Sequence, residues 1–230
     1  YVGEIIASGS WDETIKLWSV NTGRKIRTFK GHNSCVNTLA FSPDNQLLAS
    51  GSLDCTIKLW QVNTGKEIGS LTGHSASVSA IAWSPDGQFL ASASADYTIK
   101  IWQTTGREIR TLSGHSLFVN SLAYSQDGTI LVSGSSDNTI KLWQTSNGKE
   151  ILTLKGHSNA VGTVALSPDQ KLIFSGSWDK TIKIWLLNTG KEISTLQGHS
   201  NYVRSIAISP NGQTLVSGSD DYTIKIWQQY

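Results

Sequence analysis

Methionine is absent from this chain, and cysteine nearly so, Cys35 and Cys55 being the two examples. Two cysteines without a metal-type spacing make neither a disulfide framework nor a thiolate zinc site, and a reduced, cytoplasmic setting is expected. No run of about 18 apolar residues occurs, so no membrane-spanning helix is expected. An excess of either charge is also missing: 19 basic against 17 acidic residues leave a formal net charge of +2. With no basic cluster, neither a nucleic-acid partner nor a membrane surface is expected. The phosphate-cradling patterns Gly-x-x-x-x-Gly-Lys-Ser/Thr and Gly-x-Gly-x-x-Gly are absent, and no cofactor or metal is anticipated. There is no signal-peptide pattern, and a chain opening on Tyr1 reads as a piece of a longer protein.

What is present is tryptophan, nine residues of it, and repetition. Trp18, Trp60, Trp102, Trp143, Trp185 and Trp227 follow one another at intervals of 42, 42, 41, 42 and 42 residues. Each lies six residues after an Asp: Asp12, Asp54, Asp96, Asp137, Asp179 and Asp221. Five Gly-His pairs end in His32, His74, His115, His157 and His199, each 28 residues before its Trp. The one length change is a deletion just after Trp102, in Gln103-Thr104-Thr105-Gly106. The block from His to Trp is therefore fixed, and an exposed hairpin beyond the Trp absorbs the variation.

Each repeat reads as four short strands. Val78–Trp83 is followed by Ser84-Pro85-Asp86-Gly87, in which Pro presets φ and Gly accepts positive φ. All four prolines (Pro43, Pro85, Pro168, Pro210) occupy this one turn position. Two further strands, 88–94 and 96–102, are rich in β-branched and aromatic residues. After a turn of the Asn-Thr-Gly-Lys type comes a last strand such as Glu150–Leu154. No segment offers a helical period of useful length, so the chain is read as all-β.

A 40–45-residue period with four strands, a Gly-His and a Trp near a strand end resembles the WD-repeat family. The resemblance covers essentially all 230 residues and implies one domain, 1–230, of four-stranded antiparallel blades in a β-propeller. Near-regular tandem repeats of this kind look like those of bacterial, especially cyanobacterial, multidomain proteins. One feature departs from the family: the repeat-ending Trp residues are followed by Ser19, Gln61, Gln103, Gln144, Leu186 and Gln228, never by Asp.

The resemblance further implies a structural tetrad in each blade, in which indole N–H donates to hydroxyl, hydroxyl bonds imidazole and imidazole donates to carboxylate. The five complete sets are His32, Ser50, Asp54 and Trp60; His74, Ser92, Asp96 and Trp102; His115, Ser133, Asp137 and Trp143; His157, Ser175, Asp179 and Trp185; and His199, Ser217, Asp221 and Trp227. Each bond is worth roughly 1 kcal/mol net. A second Ser, two residues before each Asp (Ser94, for example), competes for the hydroxyl role. Ser, His and Asp recurring together also suggest a catalytic triad. One active site does not need five copies, however, and all five histidines are consumed by these positions. The chain is read as a non-enzyme.

Positions that break the repeat are where function would sit. Trp83 shares its slot with Phe41, Tyr124, Leu166 and Ile208 and reads as core. Trp11 and Trp178 each precede a tetrad Asp, where other repeats carry Leu53, Ala95, Ser136 and Asp220. Three residues beyond the His stand Cys35, Ser77, Phe118, Ala160 and Tyr202. In WD-repeat proteins these two position sets ring one mouth of the channel, where peptides dock. The expected binding patch is therefore Trp11, Trp178, Phe118 and Tyr202, with Leu53, Asp220 and Arg204 beside them. The recurrent Lys16, Lys58, Lys100, Lys141, Lys183 and Lys225 are read as solvated strand residues.

The strand count does not close. Second and third strands occur six times and first and fourth strands five times, giving 22 of 24 for six blades; a seven-bladed parent is the alternative. Gly3 aligns with Gly87, so Tyr1 and Val2 stand at a turn with no inner strand before them, and Asp12 lacks a His. The missing strand pair is expected from a further segment of the parent or from another chain, since open strand edges are avoided. The functional expectation is a protein- or peptide-binding scaffold within a larger regulatory protein. The alternative is a small-molecule or glycan-binding propeller, which would show repeated aromatic-polar pockets between blades.

Overall fold

The computed structural model describes residues 4–228 and contains 22 strands and, among those residues, no helix. Two compact units divide the chain, Tyr1–Leu112 and Ser113–Tyr230. The expectations for Tyr1, Val2 and Gly3 lie outside the described residues.

Three antiparallel sheets follow one another in the first unit. The first contains β1 (Ile5–Gly9), β2 (Thr14–Ser19) and β3 (Lys25–Lys30). The second is four-stranded: β4 (Val36–Phe41), β5 (Leu47–Ser52), β6 (Thr56–Gln61) and β7 (Glu67–Thr72). The third repeats that order in β8 (Val78–Trp83), β9 (Phe89–Ser94), β10 (Ile99–Gln103) and β11 (Glu108–Leu112).

In the second unit the fourth sheet is β12 (Val119–Tyr124), β13 (Ile130–Ser135), β14 (Thr139–Gln144) and β15 (Glu150–Lys155). The fifth is β16 (Val161–Leu166), β17 (Leu172–Ser177), β18 (Ile182–Leu186) and β19 (Glu192–Leu196). The sixth has three strands, β20 (Val203–Ile208), β21 (Thr214–Ser219) and β22 (Ile224–Gln228). The sheets are therefore all-β meanders of three or four strands, with the first and fourth strands present five times each, as the repeat count predicts.

Turn chemistry holds the hairpins. The Ser84 and Gly87 amides close the turn onto Phe89 O and Ser84 O, each at 2.9 Å, with Gly87 at φ 70°. Asn45 and Gln170 take the same left-handed conformation where two repeats lack that glycine. The core lies between successive sheets within each unit. Ala49, Ile57, Leu59 and Leu71 of the second sheet pack on Val78, Ile81 and Trp102 of the third. Valine at the start of an inner strand enters the previous sheet over a glycine: a Cβ at Gly51 would stand 2.5 Å from Val78 Cγ1, and one at Gly176 2.7 Å from Val203 Cγ1. At these two positions glycine leaves room for the entering valine, whereas the third sheet carries Ala93 at the same register position.

Candidate functional site

Five buried networks organise the sheets. In the third sheet Trp102 Nε1 donates to Ser92 Oγ at 2.8 Å, Ser92 Oγ lies 2.8 Å from His74 Nε2, and His74 Nδ1 lies 2.7 Å from Asp96 Oδ2. Since an ionised carboxylate only accepts, the proton sits on Nδ1 and the serine hydroxyl donates to Nε2. His32, His115, His157 and His199 make the same bonds at 2.7–2.8 Å. The rival serine serves the turn instead, where Ser94 Oγ accepts the Asp96 amide at 3.0 Å and donates to Ala76 O.

This is the bond order of a Ser-His-Asp triad, but the chemistry does not follow. Ser50, Ser92, Ser133 and Ser175 are 0 % exposed, and each hydroxyl already accepts an indole N–H and donates to imidazole. A nucleophile needs an approach path to its substrate, and these hydroxyls have none.

Burial by itself would raise the Asp96 carboxyl; hydrogen bonds from Thr98 and His74 outweigh it and hold Asp96 at about 2. Asp54 is likewise held at about 2, against burial, by Thr56, the Asn33 amide and His32. Burial lowers His74 below its ordinary range despite the Asp96 carboxylate.

Four of the six recurrent lysines are more enclosed than the solvated strand residues expected from the sequence. Lys58, Lys100, Lys141 and Lys183 have side chains only 11–13 % exposed, and their ammonium groups pair with Glu67, Glu108, Glu150 and Glu192 at 2.7–2.9 Å. The cause is a bulge in each of the four sheets that hold these pairs. Between Ile101 and Trp102 the register shifts, so Glu108 stands opposite Trp102 and shares a face with Lys100. In the first sheet the equivalent residue opposite Trp18 is Lys25, and Lys16 turns instead to Asp12 at 3.1 Å. Lys225 is half-buried.

The two sets of variable positions turn out to be direct partners. The amide before each tetrad Asp donates to the carbonyl three residues beyond the His: Leu53 to Cys35, Ala95 to Ser77, Ser136 to Phe118, Trp178 to Ala160 and Asp220 to Tyr202, at 2.8–3.0 Å. In the second unit the side chains at these positions assemble. Trp178 stacks on Tyr202 of the next sheet, with ring centroids 5.3 Å apart and planes 15° from parallel. The Arg204 guanidinium lies 4.8 Å from the Trp178 ring centroid and 5.4 Å from that of Tyr202. Asp220 accepts from Arg204 Nε at 2.9 Å and Nη2 at 2.6 Å, which raises Arg204 and holds Asp220 below the usual carboxylate range. Gly162 leaves room for the stack, since a Cβ there would stand 3.1 Å from Trp178 Nε1, tighter than ordinary contact.

Phe118, just before the first strand of the fourth sheet in the same unit, is 49 % exposed. Trp11 and Leu53 belong to the first unit, 86 % and 51 % exposed. Trp83 is buried, its indole N–H donating to Ala40 O at 3.0 Å.

A cavity of about 530 Å³ in the first unit has no forewarning in the repeat pattern. Ile5, Leu17, Ile26, Arg27, Asp44 and Leu47 are among its lining residues, none of which is aromatic. Arg27 clamps the Asn63 and Thr64 carbonyls, while its Nε is buried without a partner.

Comparison with known proteins agrees with the geometry. The model of the WD domain, G-beta repeat, matches residues 2–19, 23–61, 65–103, 106–144, 148–185 and 190–228. Among curated relatives, the peroxisomal targeting signal 2 receptor of Homo sapiens is 42 % identical over 40 residues, 17 % of this chain and 12 % of its own length. Small ribosomal subunit protein RACK1y of Oryza sativa subsp. japonica is 51 % identical over 43 residues, 18 % of this chain and 12 % of its own. Nuclear distribution protein PAC1-2 of Postia placenta is 43 % identical over 44 residues, 19 % of this chain and 10 % of its own. These matches span about a tenth of each relative, roughly one repeat. Six repeats matched in tandem, each with its sheet and its indole-to-serine bond, make this chain a member of the WD-repeat β-propeller family.

Proposed function

We propose that the chain is a non-catalytic platform for a protein or peptide partner, and that its working surface includes Trp178, Tyr202, Arg204 and Asp220. The observation that carries this reading is the Trp178–Tyr202 stack, fixed by Arg204 across both rings. Aromatic residues and Arg are the types enriched among residues that dominate binding energy. Here their rotamers are set before any partner arrives, which lowers the ordering cost of binding. One relative is named as the receptor for a targeting signal, which suits a platform of this kind. Trp11, Leu53 and Phe118 are further anchors in the same reading, on the exposure of their side chains. On this view 1–230 is one domain acting in the cytoplasm, with Cys35 and Cys55 as free thiols.

The test is selection of binders from a displayed random-peptide library on the whole chain, followed by affinity measurement on Trp178→Ala and Tyr202→Ala variants. Loss of at least tenfold affinity with unchanged thermal stability is expected. Selected peptides that bind both variants as tightly as the parent would remove the cluster from the working surface.

A further inference from the structure

In the second to sixth sheets the turn between the first two strands begins on a serine: Ser42, Ser84, Ser125, Ser167 or Ser209. Four of these turns carry an aspartate two residues later, Asp44, Asp86, Asp127 or Asp169. Its Oδ1 accepts the serine hydroxyl at 2.5–2.6 Å and the amide two residues further on at 3.0–3.1 Å. Those bonds, the serine's first, hold all four carboxyls below the usual range. The turn between β20 and β21 keeps both donors but has Asn211 in that place. Asn211 Oδ1 accepts Ser209 Oγ at 2.7 Å and the Gln213 amide at 3.1 Å. A pair of donors that meets a carboxylate in four sheets thus meets a neutral amide in the sixth. Asn211 is exposed, and Gly212 follows it.

We propose that Asn211 is a site of spontaneous deamidation, and that its turn selects ordinary α-linked aspartate as the product. Glycine puts no side chain in the way of its own nitrogen as it approaches the preceding Cγ. The Gly212 nitrogen attacks Asn211 Cγ, and the new C–N bond closes a succinimide. The Cγ–Nδ2 bond breaks, and ammonia leaves with the Gly212 proton. Water then opens the ring at either carbonyl, giving aspartate or isoaspartate; the sum is amide plus water to acid plus ammonia. For the attack, Gly212 N–H must leave Ser209 O, to which it donates at 2.8 Å, so opening of the turn gates the reaction. Isoaspartate routes the backbone through Cβ and Cγ, takes the carboxylate off both donors and returns to the succinimide. The α product finds Ser209 Oγ and the Gln213 amide in place, and a charged acceptor strengthens both bonds. The closed turn engages Gly212 N–H again and withdraws this product from the cycle. The chain's other Asn-Gly pair, Asn147-Gly148, lies in a hairpin that carries Thr64 and Thr189 at the same position in two other sheets. Asn147 Nδ2 donates to Gln144 Oε1 at 2.8 Å, a bond that conversion to a carboxylate removes.

The test incubates the whole 230-residue chain in mildly alkaline buffer, folded and, in parallel, unfolded in guanidinium chloride. Peptide mass mapping reads the amide-to-acid exchange at Asn211, and isoaspartyl methyltransferase labelling reads the share of isoaspartate. In the folded chain Asn211 is expected to convert, with a ratio of aspartate to isoaspartate at least threefold above that of the unfolded chain. Asn211→Asp should lower the unfolding equilibrium constant about threefold at neutral pH, the gain from charging two hydrogen bonds at an exposed turn, and Asn147→Asp should not. An Asn211 that stays an amide in the folded chain, a product ratio equal to that of the unfolded chain, or an Asn211→Asp variant no more stable than the parent would each overturn the proposal.

Discussion

Gly114 lies so close to the indole of Trp143 that a Cβ on it would stand 3.0 Å from Cη2 and 3.1 Å from Glu150 Oε2. The glycine of the Gly-His pair thus leaves room for both ring and carboxylate. Gly114→Ala should destabilise the chain by about 1–3 kcal/mol, the range for overpacking a filled site. Gly69, whose added Cβ would meet nothing nearer than 3.9 Å, is the control. Gly69→Ala should stabilise the chain by no more than about 1 kcal/mol, since only the strand cost of glycine is removed. Urea denaturation of both variants compares them directly.

Removing the tetrad hydroxyl should cost more where an imidazole depends on it. Ser92→Ala strands the Trp102 N–H and His74 Nε2, both buried, for an expected loss of about 2–4 kcal/mol. Ser8→Ala strands only the N–H of half-buried Trp18, for about 1 kcal/mol or less. Equal losses in denaturant titrations would show that the imidazole bond adds nothing.

The Lys141–Glu150 pair should respond asymmetrically. Glu150→Ala leaves an ammonium 11 % exposed without its carboxylate, a loss of about 1–3 kcal/mol. Lys141→Met leaves Glu150, 37 % exposed, able to hydrate, and should fall within about 1 kcal/mol of the parent. Thermal melts of the two variants check the order.

Acidification should destabilise the fold in two stages. His74 has a depressed folded value, so below the ordinary 6.5 the unfolded chain binds a proton that the folded chain does not, and stability falls with pH. Asp54 and Asp96 are depressed from 3.8 to about 2. Their contribution is present above 3.8 and is lost as pH falls through the folded values. Urea midpoints should therefore decline below 6.5 and more steeply below 3.8. A midpoint that rises on acidification between those values would contradict the assignment.

Much of the fold was legible because its signals are local and repeated. The Trp spacing, the Gly-His pairs and the single-position prolines give strands, turns and their number without any knowledge of packing. What stayed hidden depends on register. Ser92 and Ser94 are the same residue type two positions apart, and only the pairing of Ser92 with Lys100, near Trp102, selects it for the indole. The lysine pairs were missed because one bulge residue decides whether Glu108 or Ile109 stands opposite Trp102. The left-handed residues after the tetrad aspartates, Glu13, Cys55, Tyr97, Asn138, Lys180 and Tyr222, carry no common side chain to announce them.

The candidate patch was half legible. Irregular positions named Trp178, Tyr202, Arg204 and Asp220, but stacking across two sheets cannot be seen along one strand. A signal did exist in Gly162, which stands where other repeats have Asn37, Ser79, Asn120 and Arg204.

The valines that enter over Gly9, Gly51, Gly134 and Gly176 make the same joint at each of those boundaries. Any sheet built on this pattern can therefore follow any other, as bricks of one mould do. Gene duplication or loss of one unit would leave matched surfaces at the new seam. The joint fixes how neighbours meet and is indifferent to how many there are, so copy number in such a lineage is free to drift while each seam stays sound.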